Sequence, residues 1–255
     1  MHPRKRFGQN FLRDQAVIKE IAAAVAPGPN DHLVEIGPGQ GALTRQLLGK
    51  TKRFDLIELD RDLVEILKPI CLLEKQCFLH SFDVLRFDFR EIYQRDKLRI
   101  VGNLPYNIST PLLFYLINFG DLIRDLHFML QKEVAERIVA SPGNKDYGRL
   151  SVMIQYHFSA EILFPVFKES FFPIPQVESA FIRLIPRPAE TKIPCDLNAF
   201  SLVVREAFNQ RRKTIQNSLK KLVAREVWAE LNIDPKCRPE ELRVEDYVLL
   251  SKIIS

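Results

Sequence analysis

The run His32-Leu33-Val34-Glu35-Ile36 breaks into Gly37-Pro38-Gly39-Gln40-Gly41-Ala42, and a helical pattern starts at once behind it. A β-rich segment that ends in a glycine loop and restarts as a helix is one strand-turn-helix unit. Its glycines let the backbone turn tightly and approach a ligand that a Cβ would push away. The rest of the chain must continue that unit, and it does. Short β-rich runs recur at Phe54–Leu59, Cys77–His80, Leu98–Val101 and Leu126–Leu130, with helical stretches starting near Ala42, Asp62, Ser109 and Lys132. This alternation predicts a parallel sheet covered on both faces. Upstream, Asp14 suits the cap of a helix through Ala26, with Val17, Ile18, Ile21, Ala22 and Val25 on one face. Downstream, Ala160–Phe167 and Val177–Ile185 flank Phe171-Phe172-Pro173-Ile174-Pro175 and predict a hairpin at the sheet edge. Pro186, Pro188 and Pro194 then mark a linker, and only helical periods follow, such as Phe200, Val203, Val204, Ala207 and Phe208. The expected architecture is α/β: a Rossmann-like sheet over residues 1–187 and a small α-helical domain over 188–255.

Composition narrows the class. No apolar run approaches the ~18 residues of a membrane span. The basic start Met1-His2-Pro3-Arg4-Lys5-Arg6 meets Gln9-Asn10 where a secretory leader needs its apolar core, so a cytoplasmic protein is expected. Cys71, Cys77, Cys195 and Cys237 show no CxxC or zinc spacing; they read as reduced thiols, with neither disulfide nor metal expected. Charge is uneven. Residues 1–13 hold Arg4, Lys5, Arg6 and Arg13 with no acid, and 205–225 hold Arg205, Arg211, Arg212, Lys213, Lys220, Lys221 and Arg225 against Glu206 alone. Because the whole chain is only +5, the remainder is net acidic. Two basic patches on an acidic body point to a polyanion partner. If the second patch is helical, Arg211, Arg212 and Lys213 spread over a wide arc that Lys220 and Lys221 revisit. No exposed heptad is visible, and a monomer is expected.

The loop alone leaves two ligands open. Gly37, Gly39 and Ala42 fit a dinucleotide fingerprint, and Glu58 lies near the ~20-residue offset of an acid on a ribose diol. Three features favour S-adenosylmethionine. Pro38 removes an N–H that a pyrophosphate would use, Glu35 can meet a sulfonium or amino group, and Asp83 can accept from an adenine amine. Asp60 and Asp62 read as loop carboxylates or helix caps. The chemistry is carried by Asn103-Leu104-Pro105-Tyr106. Pro105 extends Leu104 and turns its carbonyl outward, Asn103 adds an acceptor, and Tyr106 a π-face. Two acceptors and a ring suit an exocyclic amine on a planar base, whose lone pair is thereby turned towards an electrophile. Positioning and oriented dipoles suffice, with no tuned acid or base.

These motifs, together with Lys5-Arg6-Phe7-Gly8-Gln9-Asn10-Phe11-Leu12, Glu58-Leu59-Asp60 and Phe171-Phe172-Pro173-Ile174-Pro175-Gln176-Val177-Glu178-Ser179, resemble the ribosomal RNA adenine N6-dimethyltransferase family over nearly the whole chain. The resemblance is to its bacterial small-subunit branch, which dimethylates two adjacent adenosines near the 3′ end of that rRNA. It implies that Asn10, Leu12, Gly37, Glu58, Asp83 and Asn103 contact the methyl donor. It further implies that Asn103, Leu104 and Tyr106 hold the target adenine, with Phe171 as a second stacking face. Glu178 stands where the family has Asp, and reads as a strand-start residue. The segment Arg205–Leu219 resembles the small-subunit branch. The large-subunit resistance branch usually has Ile at the place of Leu104, and the mitochondrial branch normally has a transit peptide, for which no room is seen before Lys5. An RNA-binding ribosome-assembly factor with incidental methylation and a dinucleotide oxidoreductase are the other classes. The implied partner is small-subunit rRNA in a pre-assembled particle, docked by Arg4, Lys5, Arg6, Arg211, Arg212, Lys213, Lys220 and Lys221.

Overall fold

A computed structural model describes residues 10–210 and 212–254. Its elements run β1 (Phe11–Leu12), α1 (Gln15–Val25), β2 (His32–Ile36), α2 (Ala42–Leu47), β3 (Arg53–Glu58), α3 (Arg61–Cys71), β4 (Cys77–Ser81), β5 (Leu98–Asn103), α4 (Tyr106–Ile117), β6 (Ile123–Gln131) and α5 (Lys132–Val139). They continue with α6 (Arg149–His157), β7 (Phe158–Val166), β8 (Phe171–Phe172), β9 (Ser179–Pro186), α7 (Leu197–Phe208), α8 (Ile215–Ser218) and α9 (Val244–Ile253). The chain divides into two compact units, Met1–Ala135 with Ala160–Pro186, and Glu136–Ser159 with Arg187–Ser255. The second unit therefore draws on a middle segment that a single linear boundary does not capture. That segment holds α6, which the sequence reading missed. Val152, Met153, Ile154 and Tyr156 are all buried there, so no polar face breaks the run into a helical stripe.

In the first unit one sheet has the order β4-β3-β2-β5-β6-β9-β7. Strands β2, β3, β4, β5 and β6 pair in parallel and β9 runs antiparallel to β6, with β7 at the edge beside β9. This is the open α/β sheet that the alternation of runs predicts. From β2 the chain winds outwards through β3 and β4, then returns to place β5 on the other side of β2. That reversal opens a crevice at the carboxyl ends of β2 and β5, where ligands bind in such sheets. Helix α1 forms as expected: Asp14 accepts from the Ala16 and Val17 amides, and Ile18, Ile21, Ala22 and Val25 are buried. They pack with Leu33, Leu56, Leu67 and Ile70 in one core. Each of these Ile, Leu and Val side chains contributes about 1.5–3 kcal/mol on burial.

The second unit is helical around α7 and α9. Phe200, Val203, Val204 and Ala207, which share the expected stripe, are buried, and the Phe208 and Tyr247 rings lie 5.8 Å apart. The helix does not carry the basic patch. It ends at Phe208, Lys213 N–H turns back to the Gln210 carbonyl, and α8 spans only Ile215–Ser218. The expected helical arc is therefore corrected to a turn; Asn209, a poor helix former, stands at the C-cap where α7 ends. Arg212, Lys213, Lys220 and Lys221 are exposed, while Arg4, Lys5, Arg6 and Arg211 lie outside the described residues.

The cysteine expectation is also corrected. Cys71 and Cys77 form a disulfide, their Cα atoms 5.2 Å apart, and Cys195 and Cys237 are free. Cys71 closes α3 and Cys77 opens β4, so the short return from helix to strand brings them together. Spacing rules for zinc or redox motifs do not register such a pair. Among the described residues no helix is long and apolar enough to cross a membrane.

Candidate active site

The crevice holds a cavity of about 230 Å³. Its walls come from the β2 loop, the ends of β3, β4 and β5, the start of α4, and β1 laid across them. Gly37, Gly39 and Gly41 all have positive φ (65°, 59° and 75°), a region open to glycine at little cost. A Cβ on Gly39 would stand 3.1 Å from the Phe11 ring, and one on Gly41 would stand 2.9 Å from Ile70 Cδ1. At Gly39 and Gly41 the loop is thus pressed between β1 and α3.

Among the described residues four acids line this space, Glu35, Glu58, Asp60 and Asp83. Glu58, at the end of β3, is 6% exposed; one of its oxygens accepts from the Leu59 and Asp60 amides at 2.9 Å, the other from Gly39 N–H at 3.2 Å. Burial raises its pKa, and the three amides oppose that shift. Glu35 is buried and accepts from Thr44 Oγ1 at 2.7 Å. Burial, opposed by the Thr44 bond and aided by the Glu58 charge, pushes its carboxyl up to about 8. Asp83 lines the cavity, and its Oδ1 accepts from Leu85 N–H at 3.0 Å. Asp60 caps α3 by accepting from Asp62 N–H, as its reading as a cap requires.

Asn103 ends β5. Its Nδ2 donates to the Asn10 carbonyl at 2.8 Å, which fixes the amide so that Oδ1 is its acceptor face. Asn10, Leu12, Gly37, Glu58, Asp83, Asn103, Leu104 and Tyr106 all line the one cavity. Tyr106 opens α4, and its hydroxyl meets Ser179 Oγ at 2.8 Å; burial holds the phenol above its ordinary range, so it stays neutral. Phe171 is the exception. It is 3% exposed, opposite Leu12 in the β1–β8 ribbon, and packs in the core without lining the cavity. In this two-residue strand the alternation sends Phe171 inward and Phe172 outward. The aromatic rings that do line the cavity besides Tyr106 are Phe11, Phe82 and Phe181. Glu178, just before β9, accepts from Lys168 N–H at 2.8 Å.

The family model for ribosomal RNA adenine dimethylases matches residues 1–255. The chain belongs to this family. A ribosomal RNA small subunit methyltransferase A from Coxiella burnetii is 51% identical, covering 100% of this chain and 99% of its own. The protein of the same name from Pseudomonas aeruginosa is 51% identical over 97% and 93% of the two chains. Among solved structures, a dimethyladenosine transferase from Plasmodium falciparum superposes with a TM-score of 0.78 at 25% identity, covering 94% of this chain and 95% of that one. The 23S rRNA methyltransferase ErmE gives 0.73 at 26% identity, over 96% and 99%. This dimethylase is a class I methyltransferase by fold.

Gly102, which directly precedes Asn103-Leu104-Pro105-Tyr106 in the sequence, has a role in the dimethylase that the motif by itself does not assign. A Cβ on Gly102 would lie 2.6 Å from the Ile36 carbonyl, so β5 passes β2 closer than any other residue permits. That close passage sets Asn103 against the glycine loop, where the Asn103 carbonyl lies 3.9 Å from a Cβ built on Gly37. A glycine at the end of a β run was the available signal. Met129, beside Asn103 in the β5–β6 register, and Phe181 complete the floor.

Proposed function

We propose that this dimethylase transfers methyl groups from S-adenosylmethionine to the N6 amines of two adjacent adenosines near the 3′ end of small-subunit rRNA. The observation that carries the reading is the Asn103–Asn10 bond. It ties the amine-binding tetrapeptide to β1 at the mouth of the acid-lined cavity and leaves one oriented acceptor.

The cavity suits the donor. Glu58 has an oxygen held by two backbone amides and a second towards Gly39, the arrangement a ribose diol needs from a fixed carboxylate. Asp83 is held by Leu85 and can accept from the adenine amine; Gly37 admits the donor close to the backbone; Asn10 and Leu12 close the cavity from β1. The donor supplies a methyl group on a sulfonium, electrophilic without further activation. The chain's part is to fix the acceptor. Asn103 Oδ1 and the Leu104 carbonyl take the two N–H bonds of the amine, and Tyr106, held by Ser179, offers the base its ring. Holding both reactants in line is the source of rate, as in other positioned bimolecular transfers.

The partner is small-subunit rRNA in an assembled particle in the cytoplasm. Arg212, Lys213, Lys220 and Lys221 in the helical unit, with Arg211 and the amino-terminal Arg4, Lys5 and Arg6, supply sequence-independent phosphate contacts that set position. The two full-length relatives named above support the small-subunit assignment over the large-subunit one. The test is incubation with labelled donor and, in parallel, under-methylated small subunits and large subunits. Label confined to small-subunit RNA is expected. Label in large-subunit RNA alone, or in neither, refutes the proposal.

A further inference from the structure

The β1–β8 ribbon has two unlike faces. Leu12 and Phe171 are register partners, 7% and 3% exposed, and pack in the core, with Leu12 also lining the cavity. Their neighbours Phe11 and Phe172 are also partners and share the opposite face. Phe11 lines the cavity and rests on the glycine loop. Phe172 is 43% exposed, and the Arg13 guanidinium lies 3.9 Å over its ring centroid. Arg13 continues the ladder, its N–H donating to the Ser170 carbonyl at 2.8 Å. Its side chain is exposed and has no carboxylate partner among the described residues. One face of the ribbon therefore runs from an aromatic ring in the cavity to a phenyl-guanidinium pair at the surface.

From this juxtaposition we infer that Arg13 and Phe172 form a stacking platform for a nucleobase of the substrate RNA that flanks the target adenosine. The inference rests on the function proposed above and adds a subsite to it. A phenyl ring beneath a guanidinium holds the planar cation flat. Bases splayed out of single-stranded RNA stack on just such surfaces, aromatic rings and arginine planes alike. The cation also matches the charge of the RNA, which a purely apolar protein-docking face would not need. Continuity with the cavity fixes which base is meant. An adenosine drawn to Tyr106 brings its chain neighbour to the rim, and on the β1 side the rim is Phe11 followed by Phe172. Ile174, 61% exposed, extends apolar surface along the same connection.

The platform makes demands that a phosphate contact or an apolar patch does not. The probe is an RNA hairpin with two adjacent adenosines in its loop, made intact and with an abasic site at each flanking position in turn. Arg13→Ala and Phe172→Ala should each weaken binding of the intact hairpin roughly 5- to 100-fold, with donor affinity unchanged. Arg13→Lys should fail like Arg13→Ala, because it keeps charge and loses the plane. Phe172→Leu should fail like Phe172→Ala, and Phe172→Trp should bind as wild type. One abasic substitution should weaken wild type by a similar factor and the Phe172→Ala variant much less. Full affinity in Arg13→Lys would show a phosphate contact, and full affinity in Phe172→Leu an apolar one. Either overturns the inference, as does wild-type binding indifferent to every abasic site, or no wild-type binding at all. Transfer to under-methylated small subunits by the same preparation tells whether the proposed function still stands.

Discussion

Replacing Asn103 with Ala removes two things that the structure separates. The first is the Nδ2 bond to the Asn10 carbonyl at 2.8 Å, which ties β5 to β1. A neutral bond of this kind contributes about 0.5–1.5 kcal/mol net. For a chain of this size, 1 kcal/mol moves the melting temperature by about 2–4 °C, so the variant should melt roughly 1–6 °C lower and remain folded. The second is the Oδ1 acceptor for the target amine. A preorganised polar group whose bond strengthens in the transition state is worth about 2.7–4 kcal/mol, or 10²–10³ in rate. The two losses are read by different assays: calorimetry for the melt, and single-turnover transfer to under-methylated small subunits at saturating donor for the chemistry. Donor affinity should fall by less than about tenfold, since Glu58 and Asp83 remain. A variant that transfers within about threefold of wild type would refute the role given to Asn103, however it melts.

Four further outcomes follow from the same geometry. Glu58→Gln should weaken donor binding by about 1–3 kcal/mol in calorimetry, because an acceptor pair becomes one acceptor and one donor; unchanged affinity removes Glu58 from the ribose. Gly102→Ala sets a methyl group 2.6 Å from the Ile36 carbonyl, so it should cost about 1–3 kcal/mol of stability and more than that in transfer, as Asn103 is displaced; equal melting and activity would show the strands free to part. Glu35, whose carboxyl rises from 4.5 to about 8 on burial, binds a proton in the folded state that the unfolded chain releases, so stability should decline as pH climbs between those values while affinity for a cationic donor improves. Glu35→Gln should flatten both profiles, and a variant with wild-type profiles would place the titration elsewhere. Neutralising Arg211, Arg212 and Lys213 together should flatten the salt dependence of subunit binding by about two to three phosphate equivalents, each near 0.7–0.9 in slope. Early melting with an unchanged slope would make that patch structural.

What the sequence disclosed about the site, it disclosed through position along strands. Glu35, Glu58, Asp83 and Asn103 each sit at or just after the carboxyl end of a β run, and a parallel sheet gathers such ends on one edge whatever the rest of the chain does. Asp14 and Asp60 were legible as caps for a local reason, since a capping oxygen reaches only two or three residues ahead. What was not legible shares the opposite cause. Whether Phe171 or Phe172 faces the core depends on pairing with Phe11 and Leu12, some 160 residues earlier, and two residues carry no period. The Cys71–Cys77 bond depends on where a helix returns to a strand. Helix α6 is buried too completely for a stripe to show. Whether a helix reaches the basic run is decided by where α7 stops, and it stops at Phe208, with Lys213 N–H turned back to the Gln210 carbonyl.

The central claim is that one cavity aligns a methyl donor with an adenine amine held by Asn103, Leu104 and Tyr106. Mass-spectrometric mapping of small-subunit rRNA after incubation with donor and this chain tests it most directly. Two adjacent N6,N6-dimethyladenosines near the 3′ end, present with the wild-type chain and missing with Asn103→Ala, are the result expected. Methyl groups on another base, on a ring nitrogen, or on adenines of the large subunit would contradict the account.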